Sequence, residues 1–299
     1  MTARQGELSH PDKVLFPDPG VTKADLADYF DRVAEVMLPH LAGRPLVLRR
    51  YPDGLDGQGF VQQRVPQGAP DFVDTTTVAA DNREGRVRHV VVNDADTLRY
   101  LANQACLELH RWLSRADRID QPDLLVLDLD RSPSVELGTL RRTARTARTA
   151  VELFERIGLA PHLMATGSTG YHVVAPLDRS AGFEQVRELT KAIAARMAAD
   201  APDELTTEQR RADRGGRIFL DTNRNAYGQT AVAPYSPRAR PGAPVATPLD
   251  LGELSRAEPD HYDLRGVLRR LARKNDPWAD MFDHAGVVAD AHAKLDRLD

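Results

Sequence analysis

Two acidic residues interrupt an apolar stretch that otherwise has the composition of a buried strand. Residues 123–130 read DLLVLDLD, and Asp128 and Asp130 lie within the run of Leu and Val. Because successive side chains of a strand point to opposite faces, both carboxylates share one face, and Leu127 and Leu129 share the other. Two anions this close on a low-dielectric surface repel each other unless a cation lies between them. The stretch therefore predicts a strand with a cation-binding face.

The composition is that of an ordinary globular protein: 299 residues, 41% hydrophobic and 28% charged, enough for one large domain or two small ones. Its apolar runs are far shorter than a bilayer span, and residues 1–13 contain no apolar segment for secretion, so we expect a cytoplasmic location. A single cysteine, Cys106, excludes an internal disulfide and a cysteine-rich zinc site. The net charge of −4 disfavours nonspecific coating of nucleic acid. Local basic clusters can still bind phosphates, and they contain Arg210, Arg211, Arg214, Arg217, Arg238 and Arg240.

Hydrophobic periodicity predicts helices and strands in irregular alternation. Helices are expected at 23–40 with Thr22 as N-cap, at 98–112 with Cys106 and His110 on one stripe, through RTARTARTA with a solvated arginine face, at 183–199, and as one amphipathic helix after Pro277. Strands are expected at PLVLRRY, at RHVVVND, at residues 123–130 and at RIFLD, and two more are expected on either side of a turn within residues 161–178. The Pro-rich residues 234–248 should be irregular. This order predicts an α/β protein with mixed sheets, in an α/β or α+β arrangement.

A third carboxylate, Asp221, ends the predicted strand RIFLD. Carboxylates clustered without cysteine suit hard cations such as Mg²⁺ or Mn²⁺. Two such ions about 3.5–4 Å apart stabilise the attacking and leaving oxygens of an in-line phosphoryl displacement. The alternative, that an Asp at a strand end only begins a turn, explains each residue alone but explains a same-face pair poorly.

The turn TGSTGYH offers groups that suit an anion. It contains the hydroxyl of Ser168, two glycines that let backbone N–H groups approach a ligand, and His172 at the start of the next strand. Such a turn alone is weak evidence. Together with the three carboxylates, Arg214 and Arg238, it describes a site for a nucleoside triphosphate and its metal ions.

Four motifs in this order, LVLDLDRSP, GSTGYHVVAPL, RIFLD and TAVAPYSPRARPGAPVATPL, closely resemble the polymerase domain of bacterial ATP-dependent DNA ligase D, of the archaeo-eukaryotic primase superfamily. The likeness extends from Leu8 to about Trp278. It implies a primase-polymerase fold with two packed mixed or antiparallel sheets flanked by helices. We expect a single domain over residues 1–299, with DNA contacts in 1–115, a catalytic core in 116–250 and a helical tail in 251–299.

The resemblance also implies roles for matching positions. Asp128, Asp130 and Asp221 match the metal-binding carboxylates, which hold two Mn²⁺ or Mg²⁺ ions. The matching nucleotide-binding residues are Ser168, His172, Arg214, Arg238 and His110. Lys13 and Lys23 match a pair that holds a DNA 5′-phosphate, and Phe60 matches an aromatic residue that contacts the template.

The sequence departs from the family pattern at three places. Thr169 replaces a lysine of the Gly-Ser-Lys-Gly turn, Val61 replaces the second of two phenylalanines, and Gln63 replaces a lysine. These changes remove two cations and one stacking ring, so DNA binding could be weaker or the substrate different. No ligase or nuclease segment accompanies the motifs, from which we expect a stand-alone paralogue.

We therefore expect a DNA-directed nucleotidyltransferase of the primase-polymerase type, nucleoid-associated, that adds nucleotides, readily ribonucleotides, to a primer 3′-hydroxyl in end joining or gap-filling repair. The expected partners are NTP or dNTP and DNA with gaps or double-strand ends, preferably 5′-phosphorylated, with Ku and a separate DNA ligase as candidate protein partners and no membrane.

Two other functions stay open from the residues alone. The motif DLDRS also resembles the nucleophile motif of haloacid-dehalogenase-type phosphatases, although that motif usually opens its fold and here follows a long N-terminal segment. A catalytically weak DNA-end adaptor would keep Lys13 and Lys23 but would have no need for three strand-end carboxylates.

Overall fold

The computed structural model describes residues 8–80, 85–131 and 137–298, without the side chains of residues 137–139. The α-helices among the described residues are α1 (Lys23–Leu41), α2 (Ala95–Asn103), α3 (Leu137–Arg156), α4 (Phe183–Asp200), α5 (Leu264–Leu271) and α6 (Val288–Leu295). The strands are β1 (Val14–Phe16), β2 (Val21–Thr22), β3 (Leu46–Arg50), β4 (Phe60–Gln62), β5 (Thr75–Ala79), β6 (Arg86–Val90), β7 (Cys106–Trp112), β8 (Leu124–Asp130), β9 (His162–Ala165), β10 (Gly170–Pro176), β11 (Leu205–Thr206), β12 (Ile218–Asp221), β13 (Thr230–Val232) and β14 (Thr247–Leu249).

The chain folds into two compact units, each assembled from separated segments of the sequence. The first unit contains Met1–Asp117, Val232–Thr247 and Tyr262–Asp276. The second unit contains Arg118–Ala231, Pro248–His261 and Pro277–Asp299. The single domain over residues 1–299 stays a prediction.

A six-stranded sheet organises the second unit, with the strand order β11-β12-β8-β10-β9-β14. Strand β8 pairs antiparallel with β10 on one side and with β12 on the other, while β11 runs parallel to β12. Helix α3 packs against β10, and α4 packs against β8. The buried residues of β8, such as Leu125 and Leu127, are fully excluded from solvent. The predicted mixed α/β architecture is confirmed.

The first unit contains the sheet strands β7, β3 and β4, within the order β13-β7-β3-β4, and two hairpins, β1-β2 and β5-β6. Helix α1 packs against α2 and α5 and buries Leu26 and Phe30. Its start agrees with the prediction, because the Thr22 hydroxyl accepts a hydrogen bond from the Asp25 amide and the Asp25 carboxylate accepts one from the Thr22 amide. These reciprocal bonds satisfy two amides that the first turn of a helix would otherwise leave unpaired.

The predicted helix over residues 98–112 is wrong in its second half. Helix α2 ends at Asn103, the backbone turns at Ala105 with a φ of 52°, and Cys106–Trp112 forms the strand β7. Six of the seven β7 residues are buried, because the strand is covered on both faces, so the apolar residues do not alternate as they do in a half-exposed strand. Cys106 and His110 therefore lie on a strand, and burial raises the pKa of the Cys106 thiol to about 12.

The C-terminal part is also less regular than the sequence predicts. A 3₁₀ turn at Met281–His284 precedes the shorter helix α6, and Gly286 separates the two. The Gly286 amide donates to the Pro176 carbonyl at 2.9 Å, which ties this segment to the end of β10. Among the described residues, none of the helices has the length and apolar character that spanning a membrane requires.

Candidate active site

Strand register brings the three predicted carboxylates together on one face of the second unit's sheet. Asp128 of β8 lies opposite Asp221 of β12 on one side and opposite His172 of β10 on the other. Residues directly opposite each other on neighbouring strands share a face, and Asp130, two residues after Asp128, shares it as well. One carboxylate oxygen from each of Asp128, Asp130 and Asp221 lies within 4.8 Å of the other two. We call these three residues the acidic cluster.

The charges of the acidic cluster are only partly offset by the protein. Burial opposes ionisation of Asp128, but the charge and hydrogen bond of His172, together with Arg224, outweigh it and lower the pKa of Asp128. For Asp130, burial and the charge of Asp128 raise the pKa above its usual range. A site that resists its own ionisation gains by binding a cation, and three carboxylate oxygens are the donors that a hard divalent ion prefers. The residues present therefore fit a divalent metal.

His172 faces the acidic cluster from β10 and is almost completely buried. Its Nε2 atom lies 3.4 Å from Oδ2 of Asp128. Its Nδ1 atom is buried and has no hydrogen-bond partner among the residues that the structure describes. Buried polar atoms are normally satisfied, so an orphaned ring nitrogen beside a charged cluster indicates a place for a ligand.

Arg224 is a site residue that the sequence analysis missed. Its Nε atom lies 3.3 Å from Oδ2 of Asp128. Burial opposes the charged form, but the charges of Asp128 and Asp221 outweigh it and raise the pKa of Arg224 above its ordinary value. The residue lies in a 3₁₀ turn, Asn223–Asn225, directly after β12. The available signal in the sequence was its position three residues after Asp221, the carboxylate at the end of β12.

The turn at Gly167–Gly170 lies between β9 and β10. A Cβ atom on Gly170 would lie 1.8 Å from the Leu129 carbonyl, so only glycine lets β10 approach β8 here. The Gly167 amide donates to the Pro259 carbonyl at 2.8 Å, and the Gly170 amide donates to Oγ1 of Thr166 at 3.4 Å. These two amides are engaged within the protein, so an anion at this turn would be bound by other groups.

Two further residues contact Asp130 or its partner on the neighbouring strand. Thr169, which replaces the family's lysine, donates from Oγ1 to Oδ1 of Asp130 at 3.3 Å. Arg214 stacks 3.6 Å from the ring centroid of Phe219, which is the β12 partner of Asp130. The Arg214 guanidinium also donates to the carbonyls of Glu208 and Gln209, both at 3.0 Å. Its planar group is therefore held in one orientation.

In the first unit, His110 and Arg238 contact one buried carboxylate, Glu108 of β7, which the sequence analysis also missed. Nε2 of His110 lies 2.8 Å from Oε2 of Glu108, and Nε of Arg238 lies 3.5 Å from the same oxygen. Nη1 of Arg49 lies 3.2 Å from Oε1, and the Ala239 amide donates to that oxygen at 2.9 Å. We call these five residues the Glu108 cluster.

Glu108 is ionised despite its burial. Burial opposes its negative charge, but the hydrogen bond from His110 and the charge of Arg238 outweigh it and lower the pKa of Glu108 to about 2. The cluster holds two arginines and a histidine against a single carboxylate. Among these five residues, therefore, the cationic side chains outnumber the anionic ones, a composition that suits an anion.

Lys13 and Lys23 lie at the β1-β2 hairpin of the first unit, and the Lys23 amide donates to the Lys13 carbonyl at 2.9 Å. Lys23 is 6% exposed, with its Nζ atom 3.3 Å from Oγ of Ser9 and 3.4 Å from Oδ1 of Asn103. Burial and the charge of Lys13 lower the pKa of Lys23. Lys13 pairs with Asp53 at 2.9 Å. Two ammonium groups close enough to repel each other favour an anion between them.

Phe60 lies on the edge strand β4 and is 45% exposed. The guanidinium of Arg50 lies 5.4 Å from the ring centroid, so one face of the ring rests on a cation. Val61 is 61% exposed and continues this apolar edge. A solvent-facing ring of this kind can stack on a nucleic acid base.

Comparison with known proteins gives one consistent relationship. Residues 22–278 match the family model described as LigD, primase-polymerase domain. The chain is 33% identical to the multifunctional non-homologous end joining DNA repair protein LigD of Mycobacterium tuberculosis, across 97% of this chain and 39% of that protein. It is 30% identical to a LigD protein of Pseudomonas aeruginosa, across 91% of this chain and 32% of that protein. The chain thus spans well under half the length of these relatives.

A solved structure, the polymerase domain from Mycobacterium tuberculosis ligase D in complex with DNA, has the same fold. It superimposes with a TM-score of 0.87 at 33% identity, covering 95% of this chain and 100% of that one. The resemblance predicted from the four motifs is confirmed.

Proposed function

Because the chain belongs to the LigD primase-polymerase domain family, we propose that it is a nucleotidyltransferase that adds nucleotides to a primer 3′-hydroxyl in DNA end joining or gap filling. The observation that carries this proposal is the acidic cluster, whose three ligand oxygens lie within 4.8 Å of one another beside a buried histidine. Phosphoryl transfer proceeds mainly by positioning and charge stabilisation, which is what such a cluster supplies. The phosphatase alternative has no support, since the family match covers the motif on which it rested.

The acidic cluster is assigned to Mn²⁺ or Mg²⁺, with two ions per active site. When bound, two such ions would favour attack by the primer hydroxyl and neutralise the departing pyrophosphate. The contribution of this chain is to hold the three carboxylates on paired strands, so that their oxygens need little rearrangement before a cation binds. A preference for Mn²⁺ and ready use of ribonucleotides belong to this proposal through the family resemblance.

Binding of the incoming nucleotide is assigned to Ser168, His172 and Arg214 of the second unit. The orphaned Nδ1 of His172 supports this assignment, because a phosphate oxygen would satisfy it. The guanidinium of Arg214, fixed against Phe219, presents a planar set of donors of the kind that binds phosphate. In the first unit, His110 and Arg238 are assigned to the nucleotide as well, and the excess of cationic over anionic side chains in the Glu108 cluster supports that role.

Binding of DNA is assigned to Lys13, Lys23 and Phe60. The paired lysines would hold a downstream 5′-phosphate, and the exposed ring of Phe60 would contact the template. The Mycobacterium tuberculosis domain of the same fold was solved in complex with DNA, which supports DNA as a partner. Ku and a separate DNA ligase belong to the proposal as protein partners, and nucleoid association belongs to it as the location.

Primer extension tests the proposal directly. Gapped, nicked and overhanging DNA would be compared, with ribonucleotides and deoxyribonucleotides, in Mn²⁺ or Mg²⁺. We expect addition to the primer 3′-end on gapped DNA, and loss of that addition in Asp221→Asn. Glu155→Gln, which removes an exposed carboxylate of α3, is the matched control and should behave as the wild type. Failure of the wild-type protein to extend any primer would contradict the proposed enzymatic activity, and the DNA-end adaptor would then be the remaining function.

A further inference from the structure

Arg224 contacts Asp128, the most buried residue of the acidic cluster. Asp128 has a side chain that is 5% exposed, and its Oδ2 atom lies 3.3 Å from Nε of Arg224 and 3.4 Å from Nε2 of His172. Arg224 itself is 38% exposed, so its guanidinium reaches inward from the surface. An oxygen that already faces two donors offers less of its charge to a third partner.

The backbone that carries Arg224 is fixed relative to β8. Asn225 accepts from the Val126 amide at 2.9 Å and donates to the Val126 carbonyl at 2.7 Å, so its side chain replaces a neighbouring strand at this point. The Asn223 amide donates to Oδ1 of Asp221 at 2.8 Å. The turn is thereby anchored on both sides of Arg224, and the guanidinium is directed to Asp128 by local structure.

The charges show why this contact matters. Arg224 is a permanent cation beside three carboxylates, and the charges of Asp128, Asp221 and Asp130 all act on it. A single guanidinium cannot neutralise three carboxylates, so the cluster keeps affinity for a divalent ion. A divalent ion on Asp128 and the guanidinium of Arg224 would repel each other in a poorly solvated site. Cation binding and the Arg224 contact therefore oppose each other.

We propose that Arg224 is a built-in counter-cation of the acidic cluster that competes with divalent metal for Asp128. The inference rests on the metal site assigned under the proposed function. An ordinary structural ion pair would stabilise the fold equally with and without metal. A competitor stabilises the fold without metal and weakens the affinity for metal, and these two effects have opposite signs.

The affinity for Mn²⁺ measures the competition without any nucleotide or DNA. Free Mn²⁺ would be followed by electron paramagnetic resonance during titration of the wild type, Arg224→Gln, Arg224→Lys and the control Arg148→Gln, which removes an exposed arginine of α3. We expect Arg224→Gln to bind the first ion about fivefold more tightly or better, because the repelling charge is gone. Arg224→Lys keeps the charge and should stay near the wild type, as should Arg148→Gln.

Thermal unfolding of the same proteins gives a second readout, because a purely structural ion pair would produce a deficit that does not depend on metal. Without Mn²⁺, Arg224→Gln should unfold at a lower temperature than the wild type, because the carboxylates lose their counter-cation. In saturating Mn²⁺ this deficit should vanish or reverse, because the ion stabilises both proteins and gives the larger stabilisation to the protein that binds it more tightly. A deficit of the same size in both conditions would identify an ordinary ion pair and overturn the proposal.

The outcomes separate the two levels of inference. Equal or weaker Mn²⁺ binding by Arg224→Gln, with normal binding by the wild type, overturns the role of Arg224 and leaves the metal site intact. Absence of Mn²⁺ binding by the wild type overturns the metal site and the competition together. Should Arg224→Gln lose its circular dichroism spectrum, Arg224→Ala decides by the same titration, with tighter binding again expected.

Discussion

Nε2 of His110 lies 2.8 Å from Oε2 of Glu108, a side chain that is only 1% exposed. The same carboxylate also faces Arg238 and Arg49. The two first-unit residues that we assign to the nucleotide are thus oriented by one buried anion. Because a histidine donates to a carboxylate through one ring nitrogen, Glu108 also selects which nitrogen of His110 carries a proton on that side. Glu108 is therefore a positioning residue for His110 and for Arg238.

The first prediction is that Glu108→Gln weakens nucleotide binding. The amide keeps the shape of the side chain but loses the charge that holds His110 and Arg238, and such charge-assisted bonds are worth about 1.5–3 kcal/mol each. We expect the nucleotide dissociation constant to rise by roughly ten- to a hundredfold on that basis. Calorimetric titration with NTP measures it. Glu155→Gln on the surface of α3 controls for the loss of a negative charge, and an unchanged affinity in Glu108→Gln would refute the positioning role.

The second prediction concerns stability at acidic pH. The pKa of Glu108 falls from an ordinary value of 4.5 to about 2 in the folded protein. A carboxyl group with a depressed folded-state pKa contributes stability that is present above its unfolded pKa and is lost as the pH falls through the folded pKa. The contribution should therefore be complete above pH 4.5 and disappear towards pH 2, with an upper size of about 3 kcal/mol.

Urea unfolding of the wild type and Glu108→Gln at several pH values isolates this contribution, since other carboxyl groups are common to both proteins. The wild type should be the more stable protein at pH 7, and the difference should shrink steadily below pH 4.5. A difference that stays constant across this range would show that the charge of Glu108 is not what stabilises the cluster.

The sequence predicted the acidic cluster well, because the pattern that encodes it is local. Two Asp residues in an apolar strand must share a face, and a third at the end of RIFLD needed only the pairing of β12 with β8 to join them. The partners that offset buried charges are not local. Arg224 is 96 residues from Asp128, and its place three residues after Asp221 was the one local hint of that contact. Ala239 is 131 residues from Glu108, and no spacing along the chain indicates their contact.

The misassigned segment around Cys106 has a different cause. Leu98, Leu101, Ala105 and Leu109 recur at helical spacing, and this period continues by chance across the turn at Ala105. In β7 almost every side chain is buried, so the two-residue period that marks a strand is absent. A fully buried strand and a buried helix carry the same apolar signal, and only strand pairing distinguishes them.

The third prediction is that Asp128→Asn and Asp130→Asn change stability in opposite directions, although both should abolish nucleotide addition. The folded protein lowers the pKa of Asp128, so its charge stabilises the fold at neutral pH. The folded protein raises the pKa of Asp130, so it favours the neutral carboxyl group over the carboxylate. The contribution of Asp130 to stability is therefore present at low pH and is lost as the pH rises through the folded-state pKa. Asp130→Asn should therefore be more stable than the wild type at pH 8 without metal, and Asp128→Asn less stable.

Thermal unfolding in the presence of a chelator measures this difference, and primer extension in Mn²⁺ measures the activity of the same variants. Activity within about tenfold of the wild type in either variant would contradict their assignment as metal ligands. Stability changes of the same sign in both would contradict the charge distribution described for the cluster.

The last prediction addresses Lys13 and Lys23. Lys23 is 6% exposed and is held between Ser9 and Asn103, so its ammonium group is already in place, and its repulsion with Lys13 is relieved by an anion. A terminal 5′-phosphate carries more negative charge than an internal phosphodiester, because its second pKa lies near 6. Gapped DNA with a downstream 5′-phosphate should therefore bind about tenfold more tightly than the same DNA with a 5′-hydroxyl.

The double variant Lys13→Gln, Lys23→Gln should bind both DNAs alike, whereas Lys191→Gln, which changes an exposed lysine of α4, should keep the difference. Both affinities must be measured at one salt concentration, since nonspecific attraction to the phosphate backbone varies steeply with salt. Equal binding of the two DNAs by the wild-type protein would show that the lysine pair does not sense the end of the strand.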